Sequence, residues 1–160
     1  MSDESKYTVA VKAFWEAFQK EHDQPAPDTP YEVWYFGDSQ KLADELAELV
    51  VTGKKTATAS LYWEYEAEGE ALPQVGGYSV ITDYDGKPRG VIQTTEVRIR
   101  PFDEVEADFA ADEGEGDLSL DFWRQAHWRF FSRTCTRLGL ELDLKTPVVC
   151  EPFCLLYAGR

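Results

Sequence analysis

The stretch Gly53-Lys54-Lys55-Thr56-Ala57-Thr58-Ala59-Ser60 constrains this chain more than any other. Upstream of it, Leu42, Leu46, Leu49 and Val50 recur at helical spacing, and Gly53 stands where a residue of positive φ commonly closes a helix. Downstream, Thr56, Thr58 and Ser60 alternate with Ala57 and Ala59, which is the period of a strand. Successive strand side chains point to opposite faces, so the three hydroxyls share one face. Lys54 shares that face and Lys55 falls on the other if the strand is regular from its first residue; the turn after Gly53 leaves this parity open. The chain has to place two ammonium groups and a hydroxyl row at a helix-to-strand corner.

The rest of the chain supplies partners for that corner. Val11, Phe14, Trp15 and Phe18 mark the apolar face of a helix over about residues 8–21. Prolines between Asp23 and Pro30 predict a loop, residues 32–36 a strand, and residues 40–52 a helix capped by Asp38 or Ser39. Residues 78–84 and 90–100 read as a hairpin about Asp85-Gly86, ended by Pro101. A third helix over residues 120–138 starts at Ser119 or Asp117, is closed by Gly139, and has Phe122, Ala126 and Phe130 as its buried stripe. Residues 148–157 form a last strand, in which Pro152 points to an edge or a bulge. Short strands flanked by about three helices predict an α+β fold built on a small β-barrel or strongly curved sheet.

With 160 residues, 43% of them hydrophobic, the chain reads as one domain with a packed core. Cys135, Cys150 and Cys154 cannot all pair, and read as reduced, buried thiols. No apolar run reaches the roughly 18 residues of a membrane span. The opening Met1-Ser2-Asp3-Glu4 has no secretion-signal pattern, so the expectation is a cytoplasmic protein away from membranes. A net charge of −14 opposes a broad grip on polyanions, so any nucleic-acid contact has to be local. The third helix offers such a place. From Phe122 to Leu140 there are four arginines and no acid, and Arg129, Arg133 and Arg137 recur every four residues. Trp34, Trp63, Trp123 and Trp128 read first as core residues.

Three segments in order carry a resemblance: Tyr35-Phe36-Gly37-Asp38-Ser39, then Leu49 through Gly53-Lys54-Lys55-Thr56-Ala57-Thr58, then Glu113-Gly114-Glu115 followed by Phe122 through His127. Together they resemble the ASCH family in its longer bacterial type, over roughly residues 30–158. The resemblance implies a PUA-like β-barrel at residues 30–160, with residues 1–29 as an N-terminal helix and Pro-rich loop packed on it. Many members carry an Arg two positions after the second Thr; this chain has Ser60, and so lacks a fixed charge suited to phosphate there.

Some short family members resemble amidohydrolases of acylated cytidines that use a Lys, a Thr and a Glu, which match Lys55, Thr58 and Glu113. A Thr hydroxyl needs a base to take its proton, a Lys serves as that base only when desolvated, and a Glu can orient it or pass protons on. Longer members look like ribonucleases acting on single-stranded RNA. That reading uses Lys54 or Lys55 to stabilise phosphate charge, Tyr35 and Trp63 as stacking rings, and Ser60, Arg124 and His127 as substrate contacts. The resemblance fixes no cofactor, but the ribonuclease reading leaves a place for magnesium, which Asp112, Glu113, Glu115 and Asp117 could hold as any acidic loop could. The expectation is an RNA or nucleoside ligand in a cleft between barrel and third helix. Lys54, Lys55 and Thr58 form one wall and Glu113 the other. RNA cleavage ranks ahead of nucleoside deacylation, with a non-catalytic RNA-binding module as the competing class. Nothing reads as DNA-specific, and the oligomeric state is not legible.

Overall fold

A computed structural model describes residues 4–22 and 25–159. The α+β class holds. Among the described residues there are five α-helices: α1 Val9–His22, α2 Gln40–Val51, α3 Tyr62–Glu68, α4 Ala107–Asp112 and α5 Leu120–Leu138. The two helices beyond the expected three, α3 and α4, are short. No residue of α3 is fully buried, so it carries no apolar stripe for periodicity to detect. The six strands are β1 Tyr31–Trp34, β2 Ala57–Leu61, β3 Tyr78–Thr82, β4 Pro88–Thr94, β5 Arg98–Pro101 and β6 Pro147–Ala158. No helix among the described residues is long and apolar enough to cross a membrane.

The expected continuous strand over residues 90–100 is broken into β4 and β5. At the break the Thr95 N–H donates to the carbonyl of Pro152 at 3.0 Å, and Pro152 has no N–H to return. Pro152 therefore lies at neither an edge nor a bulge of its own strand. It sits within β6, opposite Ala57, and the interruption falls on the neighbouring strand instead.

The chain forms two compact units. One contains the described residues up to Gly53, with Gly76–Gln93 and the chain from Cys154 on. There β1 runs parallel to β3, β3 antiparallel to β4, and the end of β6 lies beside β4. Val11, Trp15 and Phe18 of α1 bury against Val33, Val80 and Val91, and Trp15 stacks on Tyr31 at 4.3 Å between ring centroids. In α2 the Ser39 hydroxyl takes the Leu42 N–H, so Ser39 and not Asp38 is the cap, and Gly53 follows at φ +81°.

The other unit contains Lys54–Val75 and Thr94–Phe153. β6 runs between β2 and β5, antiparallel to both. One face of this small sheet is closed by α5. Leu61, Val148 and Cys150 pack with Trp123, Phe131, Cys135 and Phe102. Ser119 caps α5 and Gly139 ends it at φ +73°. The buried stripe differs from the expected one by a single position. Trp123, His127, Phe131, Thr134 and Cys135 are buried, whereas Phe122 is 37% exposed and Ala126 and Phe130 are half-buried. Both stripes have helical spacing and aromatic content, so the pattern alone could not choose between them; the polar partner that draws His127 inward did.

Candidate functional site: a buried Lys-Glu-His network

The turn after Gly53 resolves the lysine parity. Lys54 is exposed and Lys55 is 2% exposed. The acidic segment after α4 clamps the corner from outside. The Asp112 carbonyl accepts from the Thr56 N–H at 2.7 Å and from the Thr56 hydroxyl at 3.3 Å. Gly114 runs against the Lys54 backbone at φ +73°, and a Cβ there would lie 2.7 Å from the Lys54 carbonyl carbon. Only glycine accepts that conformation and that approach together.

The clamp aims Glu113 inward. Its Oε1 accepts from Lys55 Nζ at 2.9 Å; Oε2 accepts from the Trp123 indole N–H and lies 3.0 Å from His127 Nε2. Lys55 Nζ also reaches Glu115 Oε2 at 3.4 Å. Trp123 and His127, four residues apart on α5, stack at 4.2 Å between centroids, and His127 Nδ1 lies 3.0 Å from the Trp123 carbonyl oxygen. Both imidazole nitrogens thus face acceptors only, which suits the doubly protonated ring. Two cations, Lys55 and His127, balance two anions, Glu113 and Glu115. Burial alone would push the Glu113 pKa up, but Lys55 and His127 outweigh it and hold it near 2. Burial alone would lower the His127 pKa; the Glu113 carboxylate reverses this and raises it above 6.5.

Thr58 does not join this network. In antiparallel pairing, directly opposed residues share a face. Ala59 opposes Cys150 and Leu61 opposes Val148 on the face closed by α5, while Thr58 opposes Glu151 and Ser60 opposes Val149 on the other. The Thr58 side chain makes no hydrogen bond among the described residues. The Ser60 hydroxyl pairs with the Tyr65 hydroxyl at 2.8 Å. Of the remaining expected residues, Trp63 is half-buried against the core of its unit. Tyr35 belongs to the other unit, where its ring lies 5.3 Å from Tyr84. Arg124 is exposed on α5, and His127 is the one expected substrate contact that meets Lys55 and Glu113 in one network.

The four acids considered for magnesium separate. Asp112 is exposed, and Asp117 spends its Oδ1 on the Ser119 N–H. Glu113, Glu115 and His127 do offer ligand atoms within 4.8 Å of one another. The Lys55 ammonium already bonds both carboxylates, however, so the charge an ion would bring is supplied by the chain. This donor set does not fit a resident metal.

Sequence reasoning passed over Trp123 as a polar partner and missed Glu151, Thr94 and Tyr65. Glu151 had a signal: it is the lone acid in the apolar run from Val148 to Tyr157.

The family model of the ASCH domain matches residues 32–157. The chain is similar to the ASCH domain of Lactobacillus crispatus JV V101, with 36% identity and a TM-score of 0.83 over 91% of this chain and 93% of that one. It is also similar to a protein of Enterococcus faecalis V583, with 36% identity and a TM-score of 0.84 over 93% of this chain and 89% of that one. No curated protein matches.

Proposed function

The chain belongs to the ASCH domain family, a family of PUA-like fold, and from that premise we propose that it binds single-stranded RNA through the outer face of α5. One observation carries this reading. Trp128 is 37% exposed, with the exposed Arg124 one helical turn before it and the exposed Arg129 next to it in the chain, and neither arginine forms an ion pair among the described residues. The Trp128 ring is braced at 5.4 Å in a T-shaped contact with Phe102, and an exposed indole can stack on a base. Two unpaired guanidinium groups beside an aromatic platform make a local phosphate-and-base surface of the kind a chain of charge −14 needs. Arg137 does not belong to it, being tied to Glu64 at 2.7 Å and Glu68 at 3.5 Å.

The hydrolytic readings ask Lys55 to meet a substrate. Its enclosure, its bonds to two carboxylates and the position of Thr58 on the opposite face favour binding without cleavage by that set. Lys55 and Glu113 then serve to anchor the α5 platform.

Fluorescence anisotropy with a labelled single-stranded RNA tests the reading. Two phosphate contacts give a log–log salt slope of about −1.4, or roughly sevenfold weaker binding between 50 and 200 mM salt. Trp128→Ala should weaken binding about 5- to 150-fold, and the RNA should stay intact. Absence of binding, or binding indifferent to Trp128, overturns the reading.

A further inference from the structure

We propose that the face of β2 and β6 carrying Thr58 and Glu151 is a binding site for a small organic cation, one presenting an ammonium or amidinium group. Glu151 is the second deeply buried carboxylate of its unit, at 5% exposed. Unlike Glu113, it has no cation. No Lys, Arg or His pairs with it among the described residues, and its one hydrogen bond is from the Thr94 hydroxyl to Oε2 at 2.7 Å. No described residue bonds Oε1. A desolvated carboxylate without a counter-charge is unfavourable on its own, and a cation seated on Oε1 would correct it. Burial accordingly raises the Glu151 pKa, and the Thr94 bond offsets only part of that rise.

The neighbours suit an N–H-rich cation. Thr58 stands directly across from Glu151, half-buried, with its hydroxyl uncommitted. Ser60 follows two residues along the same face, bonded to Tyr65. Burial is the main reason the Tyr65 pKa rises to about 12, and the nearby Glu151 charge adds to it. A carboxylate oxygen and hydroxyl oxygens match the several donors of an ammonium or amidinium, and an amidinium can engage a carboxylate with two N–H groups. An anion would meet Glu151 unfavourably. A divalent metal would find too few oxygens, since calcium and magnesium take about six or more. The charge of −14 raises the local concentration of cations around the chain.

The test is calorimetric titration with benzamidine and with benzamide, its neutral isostere, at pH 7.5 and low salt. Wild type should bind benzamidine saturably at one site, about tenfold or more tighter than benzamide. Glu151→Gln should erase that preference, whereas Glu70→Gln, at an exposed acid, should leave it. The thermal midpoint establishes that Glu151→Gln is folded. If it is not, Thr58→Val at a half-buried position replaces it and should weaken benzamidine about three- to tenfold. Equal binding of the two probes, no saturable binding, unchanged preference in folded Glu151→Gln, or unchanged affinity in Thr58→Val each overturns the proposal.

Discussion

Lys55→Met isolates what the buried network does. Methionine keeps most of the unbranched stem and removes the ammonium, so packing changes little and the charge is lost. Glu113, 1% exposed, then keeps only Trp123 and His127, and Glu115 loses its cation. Removing one partner from a buried ion pair costs about 3–5 kcal/mol, because the carboxylate left behind has already been stripped of water. At about 2–4 °C per kcal/mol for a domain of this size, the thermal midpoint should fall by roughly 6–20 °C. Urea unfolding followed by tryptophan fluorescence measures the free-energy loss, since Trp123 donates to the Glu113 carboxylate. The set is wild type, Lys55→Met, Glu113→Gln and the double variant. The two side chains share one network, so the double variant should cost less than the sum of the singles by about 1–3 kcal/mol. A Lys55→Met loss below about 1 kcal/mol, together with additive singles, would refute the account of the corner as pinned by this pair.

His127 gives a pH signature. Its folded pKa lies above 6.5, so its stabilisation is fully present below that pH and is lost as pH rises through the folded value. Unfolding free energy against pH should decline across that window in wild type and flatten in His127→Gln. The acid side has the opposite sign. Glu113, held from 4.5 down to about 2, stabilises above 4.5, and this is lost as pH falls toward 2, a slope that Glu113→Gln should remove. Gly114→Ala should lower stability by at least about 1–2 kcal/mol from the left-handed backbone alone, with more from its approach to Lys54; a neutral result in urea unfolding would contradict the clamp. Arg137→Ala, by contrast, should cost only about 0–1 kcal/mol, because its pairs with Glu64 and Glu68 are partly exposed.

The long periodic elements were legible because periodicity and caps are local. The bounds of α5 are those expected from Ser119 and Gly139, α1 differs from expectation by a residue at each end, and α2 by a residue at its C-terminal end only. The Gly53 corner was legible for the same reason. Elements without an apolar period were not: α3 carries aromatics and acids with no fully buried residue, and the split between β4 and β5 depends on what Pro152 fails to donate across the sheet. The site was legible as residue types and only partly as a constellation. Lys55, Glu113 and His127 come together, whereas Lys54 points to solvent and Thr58 lies on the opposite face of β2 from the network. Glu151, the partner that Thr58 does have, is 93 residues away in the chain (151 − 58), and strand register alone makes the two neighbours.

The sequence by itself determined the family, the α+β class, the helix-to-strand corner and which residue types crowd it. The family follows from the resemblance its motifs carry; the others follow from spacing, turn chemistry and composition, which act over a few residues. The tertiary structure decided which lysine is enclosed, which carboxylate has a cation and which does not, and which side of α5 faces water. Each of those is a question of desolvation and of which charges become neighbours on packing, and neither is a property of any local stretch.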